Sequence, residues 1–216
     1  EGAWCWWDEN GNKQKACHYK EGLKDGLVIE YYSNGGSCEG YYQGGVEEGA
    51  WCWWDENGNK QKACHYKEGL KDGLWTEYFS DGKKCREGEY KADKKEGFWT
   101  SWREIYGYIL VIQTFSEGEL NGCATKYYSN GNKSYEGHYN NNLKEGLWRR
   151  WNKEGGLEET QTYKNGLLHG PLTKQLSNER KNYDQNFKET KTDRGGSLLD
   201  NNLTNTEIYK NGKLVE

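Results

Sequence analysis

Apolar and polar residues alternate along this chain in short runs, broken by glycine at a near-constant interval. Gly2, Gly26, Gly49, Gly73, Gly97, Gly122, Gly146 and Gly170 lie 23 to 25 residues apart. The fifth position after each of the first seven is aromatic: Trp7, Tyr31, Trp54, Tyr78, Trp102, Tyr127 and Trp151. The first position is apolar, as at Leu27 and Leu74, whereas the fourth is polar at Glu30, Glu77, Ser101, Lys126 and Arg150. A period of two describes a strand with one packed and one wet face. The first and fifth positions are therefore expected to form the packed face. Trp4, Trp51, Trp75, Trp99 and Trp148 occupy the second position, on the expected wetter face. They read as a ladder of rings partly covering that face.

A turn signal follows five of the first strands: Asn10-Gly11, Asn34-Gly35, Asn57-Gly58, Asp81-Gly82 and Asn130-Gly131. These pairs predict two-residue type I′ hairpins, which need positive φ at both central residues. A second strand then ends on Tyr19, Tyr42, Tyr66, Tyr90, Phe115, Tyr139, Tyr163 and Phe187, before a polar glycine-containing loop such as KEGLKDG. Each unit is thus strand, tight turn, strand, loop. One such hairpin cannot bury enough surface to fold alone, so stability must come from stacked neighbours. The reading is one repeat array over residues 1–216. It is regular to 170, with degenerate repeats or a cap over 171–216. The polar runs 182–186 and 198–205 and a degraded ninth unit after Gly195 fall in that part. At ~4.8 Å per strand, about eight hairpins would extend ~75–80 Å. Exposed end strands favour self-association. Residues 1–27 recur without change at 48–74, the mark of a very recent duplication or of an assembly artefact.

Composition sharpens this picture. Hydrophobic residues make up 33%, and 11 Trp and 17 Tyr replace much of the usual aliphatic content. The net charge of −4 offers no attraction to nucleic acid and disfavours an anionic membrane. No apolar run approaches the ~18 residues of a membrane-spanning helix. The chain lacks an initiator Met, and Glu1 opens inside a repeat, as in a fragment or processed form.

Residues 73–97, GLWTEYFSDGKKCREGEYKADKKEG, resemble the variant form of the MORN repeat, and GCATKYYSNGNKSYEGHYNNNLKEG at 122–146 fits nearly as well. The resemblance covers roughly residues 1–170, with an echo in the terminal IYKNGKLVE. The Gly97 unit departs from it, reading WREIYGYILVIQTF in place of an Asn-Gly turn, and the Gly170 unit has lost most of the pattern. The resemblance implies an all-β fold, an elongated antiparallel β-meander. It also implies a role in holding proteins together or, in some members, in contacting membrane lipid. Bacterial proteins with such repeats are often labelled antitoxins.

Candidate chemistry is sparse. The seven cysteines contain no CxxC and follow the repeat, which argues against zinc. The predicted register sets Cys17 opposite Trp4 and Cys5 opposite Ala16, so these thiols point to opposite faces and cannot bridge. An odd number of free-looking thiols favours the cytosol. His18, His65 and His138 share a register but lie repeats apart. Carboxylates alternate with lysines in the loops, as solvated charges do, and no nucleophile elbow, P-loop, zincin or EF-hand motif occurs. No catalytic residue, metal or cofactor is expected. One anomaly remains: Trp6 and Trp53 take the fourth position, which is otherwise polar. With Trp4 and Trp51 they form the candidate binding aromatics, since exposed aromatic clusters make interaction surfaces. The bland alternative is that they only extend the ladder. The leading function is therefore a non-catalytic scaffold with a protein partner. Carbohydrate or cell-wall binding and membrane-surface binding are the alternatives.

Overall fold

A computed structural model describes residues 1–105, 107–175 and 204–215, and they fall into two compact units, residues 1–121 and 122–216. Unit 1 is an all-antiparallel meander in which each strand pairs with the next. Its strands are β1 (Gly2–Trp7), β2 (Lys13–Lys20), β3 (Leu23–Tyr31), β4 (Ser37–Gln43), β5 (Val46–Trp54), β6 (Lys60–Lys67), β7 (Leu70–Tyr78), β8 (Lys84–Lys91), β9 (Lys94–Trp102) and β10 (Ile109–Ser116). Unit 2 opens within β11 (Glu119–Tyr127) and continues through β12 (Lys133–Asn140), β13 (Leu143–Trp151), β14 (Leu157–Lys164), β15 (Leu167–Gln175), β16 (Thr204–Lys210) and β17 (Lys213–Val215). The expected all-β meander is therefore the fold. The register is also as expected, with Trp4 opposite Cys17 and Cys5 opposite Ala16. All seven cysteines are free thiols.

The two kinds of turn are exchanged relative to the sequence reading. Around Asn10-Gly11 the loop has five residues: Gly11 N–H donates to Asp8 O (3.1 Å) and Asp8 N–H to Asn12 O (2.9 Å). Only the glycine is left-handed (φ 81°), so this is a type I turn followed by a left-handed glycine, not type I′. The Asp8 carboxylate completes the turn by accepting Asn10 N–H (2.9 Å) and Asn12 N–H (2.8 Å). Those hydrogen bonds, led by the Asn12 side chain, hold its pKa below the usual carboxylate value. The true two-residue turns lie in the segments read as loops. Lys20 pairs with Leu23 across Glu21 (φ 52°) and Gly22 (φ 77°), and Lys67 with Leu70 across Glu68 (φ 53°) and Gly69 (φ 79°). Positive φ at both central residues is the type I′ signature.

One of these turns carries Ala92 (φ 46°) and Asp93 (φ 65°) and no glycine. A Cβ in the left-handed region is strained. Ala92→Gly is accordingly expected to raise unit 1 stability by ~0.5–1 kcal/mol, read as a higher urea midpoint at unchanged slope.

Successive turns of this kind are latched together. The carboxylate before each repeat glycine accepts a turn N–H from the following hairpin: Asp25 from Gly44 (3.2 Å), Glu48 from Glu68 (2.8 Å), Asp72 from Ala92 (3.3 Å) and Glu96 from Glu117 (3.0 Å). One residue earlier, the backbone carbonyls of Lys24, Glu47, Lys71 and Lys95 accept from Gly45, Gly69, Asp93 and Gly118 at 2.8–2.9 Å. The Lys-Asp-Gly and Lys-Glu-Gly triplets are thus strand residues with structural work, where solvated loop charges were expected.

The packed face is the opposite of the one inferred. Residues at the second position are buried: Val28, Trp51, Trp75, Trp99, Ala124, Trp148 and Leu172. Those at the first position are open, Leu74 at 48% and Phe98 at 69%. Three strands receive the indole on a bare glycine: a Cβ on Gly40, Gly88 or Gly137 would come within 2.0–2.2 Å of the Trp51, Trp99 or Trp148 ring. Where the facing residue on the preceding strand carries a side chain, the second position is smaller, as with Val28 opposite Cys17 and Leu172 opposite Gln161. Trp75, opposite Cys64, is the exception; its indole N–H turns to Glu77 Oε1 (3.0 Å) on its own strand.

The Gly170 unit also differs from expectation. Gly170 pairs with Tyr209, as Gly2 pairs with Tyr19, so its second strand is β16 and its closing aromatic is Tyr209, not Phe187. The terminal echo of the repeat is this strand and its turn at Asn211-Gly212 (φ 51° and 78°). Phe187, the run 182–186, most of 198–205 and the start of the unit expected after Gly195 lie outside the described residues; the rest of that unit, 204–215, forms β16 and β17, of which β16 pairs with the Gly170 strand instead. The Gly97 hairpin survives without its Asn-Gly: Gly107 (φ 66°) donates to Arg103 O, and Trp102 pairs with Ile109.

Candidate functional site

The Trp face of unit 1 gathers most of the chain's aromatic chemistry. Each second strand ends on a ring that falls on the same face as the Trp row, because Tyr19 and Tyr42 pair with the repeat glycines Gly2 and Gly26, two residues before that row. Edge-to-face contacts link them: Tyr42–Trp51 (5.3 Å between centroids), Trp51–Tyr66 (6.0 Å), Trp75–Tyr90 (5.3 Å), Tyr90–Trp99 (5.1 Å) and Trp99–Phe115 (6.3 Å). Burial pushes the Tyr42 and Tyr66 hydroxyls up to about 12.

Lysines lie across this row. The Lys62 ammonium is 3.5 Å from the Trp53 ring centroid and 4.9 Å from that of Trp75. Lys71 is 4.8 Å from Trp75 and 5.1 Å from Tyr90; Lys95 is 4.3 Å from Trp99 and 4.9 Å from Phe115. Such placements attract through the ring quadrupole while the lysine stems cover apolar surface. Burial lowers the pKa of both Lys62 and Lys95. At the other end of the row Lys15 and Lys24 reach Glu30 (2.5 and 3.8 Å). Unit 2 repeats the arrangement once, with Lys144 4.5 Å from Trp148, which sits against Tyr139 (4.9 Å).

The four candidate aromatics form two stacked pairs on this face, Trp4–Trp6 (6.4 Å) and Trp51–Trp53 (5.7 Å). Their sequences are identical but their surroundings are not. Trp51 is 6% exposed, against the expectation that it lies open, because Gly40 and Tyr42 on the preceding strand receive it. Trp4 lies on β1, which has β2 on one side only among the described strands, and is 53% exposed. Trp6 borders an open hollow with Lys15, Tyr19 and Glu30, and Trp53 is half-buried under Lys62. The indole nitrogens of Trp99 and Trp148 donate to Glu89 O (3.1 Å) and His138 O (3.2 Å), while that of Trp51 has no partner among the described residues. His18, His65 and His138 are exposed on the opposite face.

Sequence reasoning missed the lysines. The signal was available: lysine recurs two residues before the repeat glycine at Lys24, Lys71, Lys95 and Lys144, on the same side as the second-position Trp.

No curated protein matches the chain in sequence. The MORN repeat variant profile matches residues 1–21, 47–68, 71–92, 120–141 and 144–165. Of the intervening hairpins, residues 93–119 lack the Asn-Gly turn. With five matches spread over about half of its length, the chain belongs to the MORN repeat variant family.

Proposed function

We propose that this chain is a non-catalytic repeat scaffold that holds a protein partner on the Trp face of its hairpins. Repeats of this family are generally associated with binding proteins or membranes, and the family is not known as catalytic. One observation carries the narrower reading: a run of rings from Trp51 to Phe115, roofed by lysine stems, with the half-buried Trp53 at one end and Trp6 beyond it at an open hollow of the same face. Aromatic residues with long cationic neighbours supply much of the energy in protein interfaces. In this reading Trp6 and Trp53 touch the partner, Trp4 flanks it, and Trp51 is the rigid floor.

The test changes Trp6 and Trp53 together to Lys, a residue already present at that register as Lys126. Full-length wild type, used as bait in extracts of its own source, is expected to retain a partner that the double variant loses. The variant's circular dichroism and urea midpoint should stay close to wild type. Equal retention by both proteins would overturn the reading, and collapse of the variant's fold would show the two rings to be structural. Flotation of the wild type with anionic vesicles, without any retained protein, would favour the membrane alternative.

A further inference from the structure

Lys62, Lys71 and Lys95 make no ion pair among the described residues, and rings occupy the places where carboxylates usually stand. Lys62 and Lys71 both face Trp75, so two like charges share one ring. Glu77, opposite Lys62 across the strands, is engaged by the Trp75 indole (3.0 Å) and by Arg86 (3.8 Å). A strip of positive charge over aromatic rings, in a chain of net charge −4, is the complement of an anionic partner.

Spacing narrows that partner. Lys71 and Lys95 hold the same register on β7 and β9, two strands apart. Two strands span ~9.6 Å, three residues of polyproline II helix ~9.3 Å, and three residues of extended chain ~9.9 Å. We propose that Lys71 and Lys95 receive carboxylates three residues apart in an acidic, extended segment of the partner protein, laid across the strands. The inference rests on the scaffold reading of the same face. Glu47 takes this register between Lys24 and Lys71, so the strip runs plus, minus, plus, plus and fixes the segment's position along it. A patterned strip suits a polypeptide better than a lipid surface, which presents uniform negative charge and attracts clustered, projecting cations. These ammonium groups instead lie back on their rings.

The probes are two fluorescein-labelled peptides of identical Glu, Pro and Ser composition. One carries Glu at every third position and the other carries the same residues as a contiguous acidic block. Fluorescence anisotropy with the full chain should show the periodic peptide binding about fivefold or more tightly than the block, and less tightly as salt rises. Lys71→Gln with Lys95→Gln should weaken the periodic peptide about tenfold, whereas Lys71→Arg with Lys95→Arg should hold it within about twofold. Equal binding of the two peptides, or indifference to Lys71→Gln with Lys95→Gln, would overturn the inference. So would binding to phosphatidylserine vesicles, with the same lysine dependence, in place of the peptide. Partner capture separates the two levels of the argument. If it survives the lysine changes but not the Trp6 and Trp53 changes, the scaffold stands without the acidic segment; if it survives both, neither stands.

Discussion

Trp99→Ala is expected to cost unit 1 ~3–5 kcal/mol, a large part of the ~5–15 kcal/mol that holds a typical domain. The ring is 4% exposed, lies flat on Gly88 and meets Tyr90 and Phe115 edge to face. Truncation strips those contacts together and removes the support of the Lys95 stem. The neighbours cannot collapse into the space, because Tyr90 and Phe115 are pinned to paired strands on either side of it. Urea unfolding followed by Trp fluorescence checks the figure, with Trp99→Phe as a milder control that keeps a ring but loses the hydrogen bond to Glu89 O. A loss under ~1 kcal/mol would mean that the Trp row is ornament and that the ladder hydrogen bonds carry the sheet.

The second large effect is a coupling. Gly88→Ala would set a methyl group 2.2 Å from Trp99 Cδ2 and 2.4 Å from Cε2, a clash that only displacement of the indole relieves. The expected loss is ~3 kcal/mol, the upper part of the usual range for overpacking. In a Trp99→Ala background the same substitution meets no ring. It should then be neutral or slightly stabilising, since alanine suits a strand interior better than glycine by ~0.5–1 kcal/mol. The double-mutant cycle should therefore show an interaction of ~3–4 kcal/mol. Additive effects would refute direct contact as the reason for the glycine. The chain has already sampled the alternatives, as the pairs Cys17 with Val28 and Gln161 with Leu172 show.

Hairpins, register and repeat length were legible because they depend on spacing, and spacing survives substitution. The choice of face was not. Both faces carry apolar residues, Leu74 and Phe98 on one and Trp75 and Trp99 on the other, and a period of two only separates them. What decides between them lies on the neighbouring strand: Gly88 provides room for an indole, while no second layer among the described residues covers Phe98. Glu-Gly-x-Tyr recurs as Glu39-Gly40-Tyr41-Tyr42, Glu87-Gly88-Glu89-Tyr90 and Glu136-Gly137-His138-Tyr139, so the signal was present as a mid-strand glycine one hairpin ahead of a Trp. The turns were exchanged for a related reason. Asn-Gly names a left-handed glycine but does not count the loop, and the length between paired strands selects the turn type. The candidate aromatics were half legible: stacking pairs Trp4 with Trp6 and Trp51 with Trp53, but identical sequences cannot show that Trp51 is received by Gly40 and Tyr42 while Trp4 meets no such strand among the described residues.

In unit 1 the strand ladders run, among the described residues, to the strand before and the strand after. A load applied to its two ends therefore meets one ladder at a time, and the sheet yields by unzipping, hairpin after hairpin, without a shared breaking point. The latches from Asp25, Glu48, Asp72 and Glu96 make each release a discrete event, because each ties the turn of one two-strand unit to the strand that precedes both of its strands. A partner lying across several hairpins would clamp ladders that the fold leaves separate, and the assembly would bear tension that the free chain cannot.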